Sequence, residues 1–252
     1  STNTNISSTL DAKKDITSTI TGSGTLNLNG TNDQTINGTV GTTNLNVNNG
    51  TNKVIANDNI NSTNTNISST LDAKKDITSN INGTATNSGT LIMSGTNQTI
   101  NGDIGNTNSL NRFDVNSTTT VTGNINSTNI GGNGTLIMNG TTQSITGIVG
   151  TTNLNINSGT TTVNGNINSQ NTNINNKSSL VLLDNSNIHS TVNTSSNNTG
   201  TITFNGNSNV DGTIGSNSNK LSNINAGVNG SSIDFNDDIF VANTNVTGTG
   251  TI

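Results

Sequence analysis

The chain has 252 residues and a formal charge of −5, with 28 Gly, a single His, no Pro, Cys, Trp, Tyr or Glu, and about two residues in five either Asn or Thr. Lys and Arg total only 8 and base-stacking aromatics are nearly missing, which excludes nucleic acid as a partner. No apolar run approaches the roughly 18 residues of a membrane-spanning helix, so direct membrane insertion by this segment is not expected.

Thr, Ile and Val favour strands while Asn and Gly favour tight turns, so the composition points to an all-β fold. In chain order, STNTNISSTLDAKKDITS at Ser1 to Ser18 is followed by GTLNLNGTNDQTINGTVGTTNLNVNNG at Gly24 to Gly50 and by DNINSTN from Asp58. The first phrase then recurs unchanged at Ser62 to Ser79, followed by GTLIMSGTNQTINGDIG at Gly89 to Gly105 and GNINSTN from Gly123. A third, shorter unit carries GTLIMNGTTQSITGIVGTTNLNINSG at Gly134 to Gly159 and GNINSQN from Gly165. Duplicated units therefore begin at 1 and 62 and a shorter one at 127, within one solenoid segment over 1–252.

Within these phrases apolar residues come as period-two pairs, such as Leu26/Leu28 and Leu45/Val47, between Asn-Gly and Ser-Gly turn signals. Such strands bury one face and are too short to fold alone; stacked turn on turn, each pairs in parallel with its equivalent about 4.8 Å away. The spacing predicts a parallel β-helix, a β-solenoid with rungs of about 20 residues. The long unit reads as three rungs and the short one as two. Asn and Thr recurring at like positions are expected to form side-chain ladders along the stack; AT-rich codon usage is the competing explanation of the Asn content.

The phrases from Gly134 to Asn168 and from Gly212 to Ile252 resemble the passenger domains of rickettsial surface-antigen autotransporters, of the outer membrane protein A and B type. The likeness is one of repeat style over most of the chain, and the sequence departs from that family in using Asn and Ser where passengers carry more Ala and Gly. The resemblance implies a right-handed β-helix exported through a C-terminal β-barrel and displayed outside the bacterial cell as a structural or adhesive stalk. Its partners would be a host-cell or neighbouring-cell surface, or copies of itself. Ser1 opens without a Met or a leader, and TGTGTI at Thr247 to Ile252 repeats the style of TGSGTL at Thr21 to Leu26. Both features read as a piece of a longer array.

Chemistry-bearing residues are sparse. Nucleophilic catalysis requires a positioned base, and His189 stands alone in SLVLLDNSNIHSTVN, where it reads as structural or exposed. Asp234, Asp237 and Asp238 form the densest acidic group, but without the nonapeptide repeat of calcium-binding rolls they read as a solvated turn. No enzyme, cofactor or metal is expected. The one candidate contact patch is the duplicated DAKKD: Asp11, Lys13, Lys14 and Asp15, then Asp72, Lys74, Lys75 and Asp76. Three rungs of separation would put the copies on one side, about 14 Å apart; alternatively these charges keep an outward loop soluble. Thr-x-Thr faces also invite comparison with ice-binding solenoids, but unequal rung lengths argue against a regular plane.

Overall fold

The structure, a computed structural model, describes residues 3–227, 230–247 and 249–252. Ser1 and Thr2 of the first repeat and Gly248 of the closing phrase lie outside them. The chain is an all-β solenoid, with about 13 turns of roughly 19 residues distributed over two compact units, Ser1–Gly131 and Gly132–Ile252. Every strand pairing within each unit is parallel and links a strand to its counterpart one turn on.

Three sheets enclose the core of the first unit. Sheet I runs through Asn3–Asn5, Thr19–Thr21 and Val40–Gly41, and continues by single bridges through Ile60 to Ile77–Thr78, Gln98–Asn101 and Thr118–Val121. Sheet II stacks Thr9–Ala12, Thr25–Leu28, Asn44–Val47, Asn64–Ile67 and Asn80–Gly83. Sheet III stacks Gln34–Ile36, Lys53–Ala56, Thr70–Ala73, Thr90–Met93, Leu110–Val115 and Ile125–Gly131.

The second unit repeats the plan. Sheet IV holds Thr135–Met138, Asn153–Ile156, Asn171–Ile174 and Thr191–Asn193. Sheet V holds Thr142–Val149, Thr160–Asn164, Ser179–Leu182, Thr199–Phe204, Leu221–Ala226 and Val241–Val246. Sheet VI joins Val149 and Ile167 by bridges to Ile188–His189, Ser208–Asp211 and Ile233–Phe235.

Alternation of side chains across a strand explains the period-two pairs. Leu26 and Leu28 point inward and stack on Leu45 and Val47, all fully buried, while Asn27 and Asn46 point out between them. The column then accepts Thr65, whose hydroxyl is 2.8 Å from that of the buried Ser79. Thr172 and Ser190 form the same inward pair in the second unit, again at 2.8 Å. A buried hydroxyl needs a partner, so in these two columns Thr replaces Leu where a Ser meets it.

Three buried glutamines fasten corners. Gln34 Nε2 donates to the carbonyls of Ala12 and Lys14, each at 3.0 Å, and its Oε1 accepts the Gly30 N–H at 3.0 Å. Gln98 repeats the donation to Ala73 and Lys75 at 3.1 and 2.8 Å, and Gln143 accepts from Gly140. Corner carboxylates act similarly: Asp15, Asp33, Asp76, Asp103 and Asp184 each accept a backbone N–H from the following turn, at 2.7 to 3.0 Å. Asn87, Asn97, Asn176, Asn185 and Asn198 hold the left-handed backbone that few other side chains tolerate. At Gly95 an added Cβ would lie 1.9 Å from the Lys74 carbonyl, so only glycine fits that contact between turns.

Turn length varies although strand register does not. In sheet I the turn that carries Ile77 to Ile100 is longer than the one that carries Ile20 to Val40, yet both end in the same parallel pairing of inward residues. The turn from Ile214 to Ile239 is longer again and closes on the same kind of bridge. The corners absorb the difference.

Candidate contact surface

Asn ladders line the outward faces of sheets II and IV, as the recurrence of Asn at like positions led us to expect. On sheet II, Asn66 donates to Asn46 at 2.9 Å, Asn46 to Asn27 at 2.8 Å and Asn27 to the Asp11 carboxylate at 2.6 Å. On sheet IV, Asn173 donates to Asn155 and Asn175 to Asn157, at 2.6 and 2.7 Å. In each case the amide of the later turn donates to the earlier one, so these hydrogen bonds point one way and polarise one another.

The two DAKKD copies do not share a side. Thr9–Ala12 lies in sheet II against Thr25–Leu28, whereas Thr70–Ala73 lies in sheet III between Lys53–Ala56 and Thr90–Met93. The expectation of three whole rungs between copies is thus corrected, and turn length explains why. From Thr4 the column of sheet I runs through Ile20 and Val40 and completes its third turn at Ile60. Thr65, the counterpart of Thr4 in the second copy, comes after that point, past the corner, and pairs with Leu45 on sheet II. Contacts internal to the repeat survive the change of face: Thr4 and Ser18 hydroxyls are 3.3 Å apart, as Thr65 and Ser79 are at 2.8 Å.

Identical sequences therefore meet different neighbours. In the first copy Asp11 is exposed and accepts from Asn27, while exposed Lys13, Lys14 and Asp15 border a hollow of about 330 Å³ with Asn32 and Asp33. In the second copy Asp72 is buried: Lys74 Nζ lies 3.0 Å from its Oδ2 and 2.7 Å from Ser94 Oγ, and Ser94 donates to Asp72 Oδ1. Lys75 and Asp76 stay exposed, and Asp76 Oδ1 accepts the Thr99 N–H. Of the eight candidate residues, Asp11, Asp15, Asp72, Lys74 and Asp76 are thus bonded within the fold, and Lys13, Lys14 and Lys75 remain outward charges. Asn27 and Ser94, the partners that separate the two copies, lie in the turn after each and carry no signal within DAKKD itself; only a copy-by-copy comparison of those turns exposes them.

His189 sits on a strand opposite Asp211, its Nδ1 2.7 Å from Asp211 Oδ2, with both side chains 42% exposed. Asp211 is held below the usual carboxylate range, chiefly by the Asn236 amide and then by His189. Asp234 lies beside a hollow of about 770 Å³ with Phe235, Asn236 and Ile239, and accepts the Ser232 hydroxyl. Asp237 and Asp238 are exposed. Among the described residues no group of three His, Cys or Asp side chains is placed to hold a metal ion, and no helix is long and apolar enough to cross a membrane. Arg112 pairs with Asp114 on its own strand at 2.7 Å, which raises the guanidinium pKa further.

No protein family matches the chain, and neither does any curated protein or solved structure.

Proposed function

We propose that the chain is a non-catalytic structural protein of the bacterial cell surface, a passenger segment of an autotransporter-like outer-membrane protein that presents its faces to other surfaces as a stalk or adhesin. The observation that carries this reading is the use made of its polar groups. Asn amides are bonded into ladders on outward faces, and carboxylates are bonded across corners, so the residues with chemical capability reinforce the stack. The repeat style shared with rickettsial surface antigens supports export, and a right-handed coil accords with the strong preference of parallel crossovers.

Labelling intact cells with antibody against the solenoid tests the reading. Surface labelling that is lost after external protease is the expected result. Protein confined to the cytosol would reject it.

A further inference from the structure

Sheet V of the second unit carries an outward face unlike the amide ladders. Its register aligns Thr142, Thr160, Ser179 and Thr201 in one column. At the next outward position of each strand, Ser144, Thr162, Val181 and Thr203 form a second. The turns that separate successive members of a column differ in length, yet the columns stay straight because the corners take up the extra chain. Unequal rung lengths, which in the sequence argued against a regular plane, therefore do not disturb this one. Neither column contains a charge, and the nearest continuation, Asn223 and Asn225, is also neutral.

Four of these hydroxyls differ from the Asn ladders in what they are bonded to, while those of Thr201 and Thr203, at the end of the columns, accept from the amides of Asn223 and Asn225. Among the described residues, the hydroxyls of Thr142, Thr160, Thr162 and Ser179 have no hydrogen-bond partner within the protein, whereas the amides of Asn155 and Asn173 are bonded to each other. A hydroxyl offers one donor and two acceptor sites, and these point to solvent from a rigid sheet. The lattice is about 4.8 Å between turns and about 6.7 Å between alternate residues of a strand. A tetrahedral network of O–H···O bonds about 2.75 Å long, the bonding of ice, repeats about every 4.5 Å in one direction and about 7.3 Å at right angles to it. Over four turns the mismatch along the stack accumulates to only about 1 Å.

We propose that this face of sheet V binds ice, its hydroxyl columns holding a layer of water whose spacing joins the crystal lattice. Val181 and the Thr methyl groups keep the face from being fully hydrated, and the rigid sheet supplies the order before contact, which lowers the entropic cost of adsorption. The binding is independent of the surface-display reading, because it depends only on this face.

The test is partition of the purified chain into a slowly growing ice front, with microscopy of crystal shape. The expected result is enrichment in the ice fraction and faceted crystals, with Thr162→Tyr reducing the enrichment at least tenfold and Asn155→Tyr, on sheet IV, leaving it unchanged. Circular dichroism checks the fold of each variant, and Ser179→Lys replaces Thr162→Tyr should the latter unfold. Exclusion of the unaltered chain from ice overturns the proposal. So does adsorption that a folded Thr162→Tyr or Ser179→Lys leaves intact, or that Asn155→Tyr abolishes equally.

Discussion

Replacing Gln34 by Leu tests whether the buried glutamines hold the corners. The change preserves bulk at a site only 2% exposed, so little cavity forms, but it removes three hydrogen bonds. The Ala12 carbonyl keeps the Asn29 N–H as a donor, leaving the Gly30 N–H and the Lys14 carbonyl as the groups that must turn to water. At a net contribution of about 1 kcal/mol per bond the loss comes to about 2–3 kcal/mol. In a solenoid such a loss appears as local opening of one turn rather than global unfolding. Amide hydrogen exchange is therefore the assay. The Gly30, Thr35 and Asn37 amides should exchange about 30- to 150-fold faster, since about 1.4 kcal/mol is a factor of ten. The Asn153 amide of the second unit, bonded to Gly134, should be unaffected. Gln98→Leu should show a smaller increase, because Gln98 makes two such bonds and its Oε1 makes none. Acceleration below threefold at Thr35 and Asn37 would refute the reasoning.

Three further outcomes are expected. Leu154→Ala, in a fully buried column between Leu136 and Thr172, should cost about 2–5 kcal/mol and lower the urea midpoint of the second unit; an unchanged midpoint contradicts tight packing there. Asp72→Ala should destabilise the chain more than Asp11→Ala despite identical flanking sequence, because Asp72 is buried and holds Lys74 and Ser94; equal midpoints in paired denaturation curves would oppose this. Asn236→Ala should raise the Asp211 pKa toward its ordinary value, read by NMR titration, and no movement would discount the amide as its main cause. Because the folded value is the depressed one, the stabilisation from this pairing is present above the unfolded carboxylate pKa of about 3.9 and is lost as pH falls through the lower folded value.

Repeats, strand spacing and the all-β stack were legible because each has a local signature: Leu26/Leu28 and Leu45/Val47 announce inward pairs, and Asn-Gly announces corners. Which sheet a pair joins was not legible, since every face of the solenoid reads the same period of two. Face assignment depends on turn lengths added along the chain, and a short first turn, from Thr4 to Ile20, shifts everything after it. The same limit hid the hydroxyl columns of sheet V, whose alignment is a property of pairing register. Gln34, Gln98 and Gln143 look like surface residues by type; their burial follows from unpaired corner carbonyls and N–H groups that no sequence pattern displays. For the DAKKD patch, composition showed the charges but could not distinguish the outward Lys13 from the engaged Lys74.

The change of face between duplicate repeats bears on valency. Avidity arises when a second site lies within reach of a ligand already bound at the first, so that linkage raises its effective concentration. Copies on sheets II and III of the first unit turn their backbones toward different neighbours. A flat surface laid against Thr9–Ala12 would not meet Thr70–Ala73 by the same approach, so a ligand of the repeat would gain no avidity from the second copy. Duplication here sets one sequence on two faces rather than repeating it along one of them.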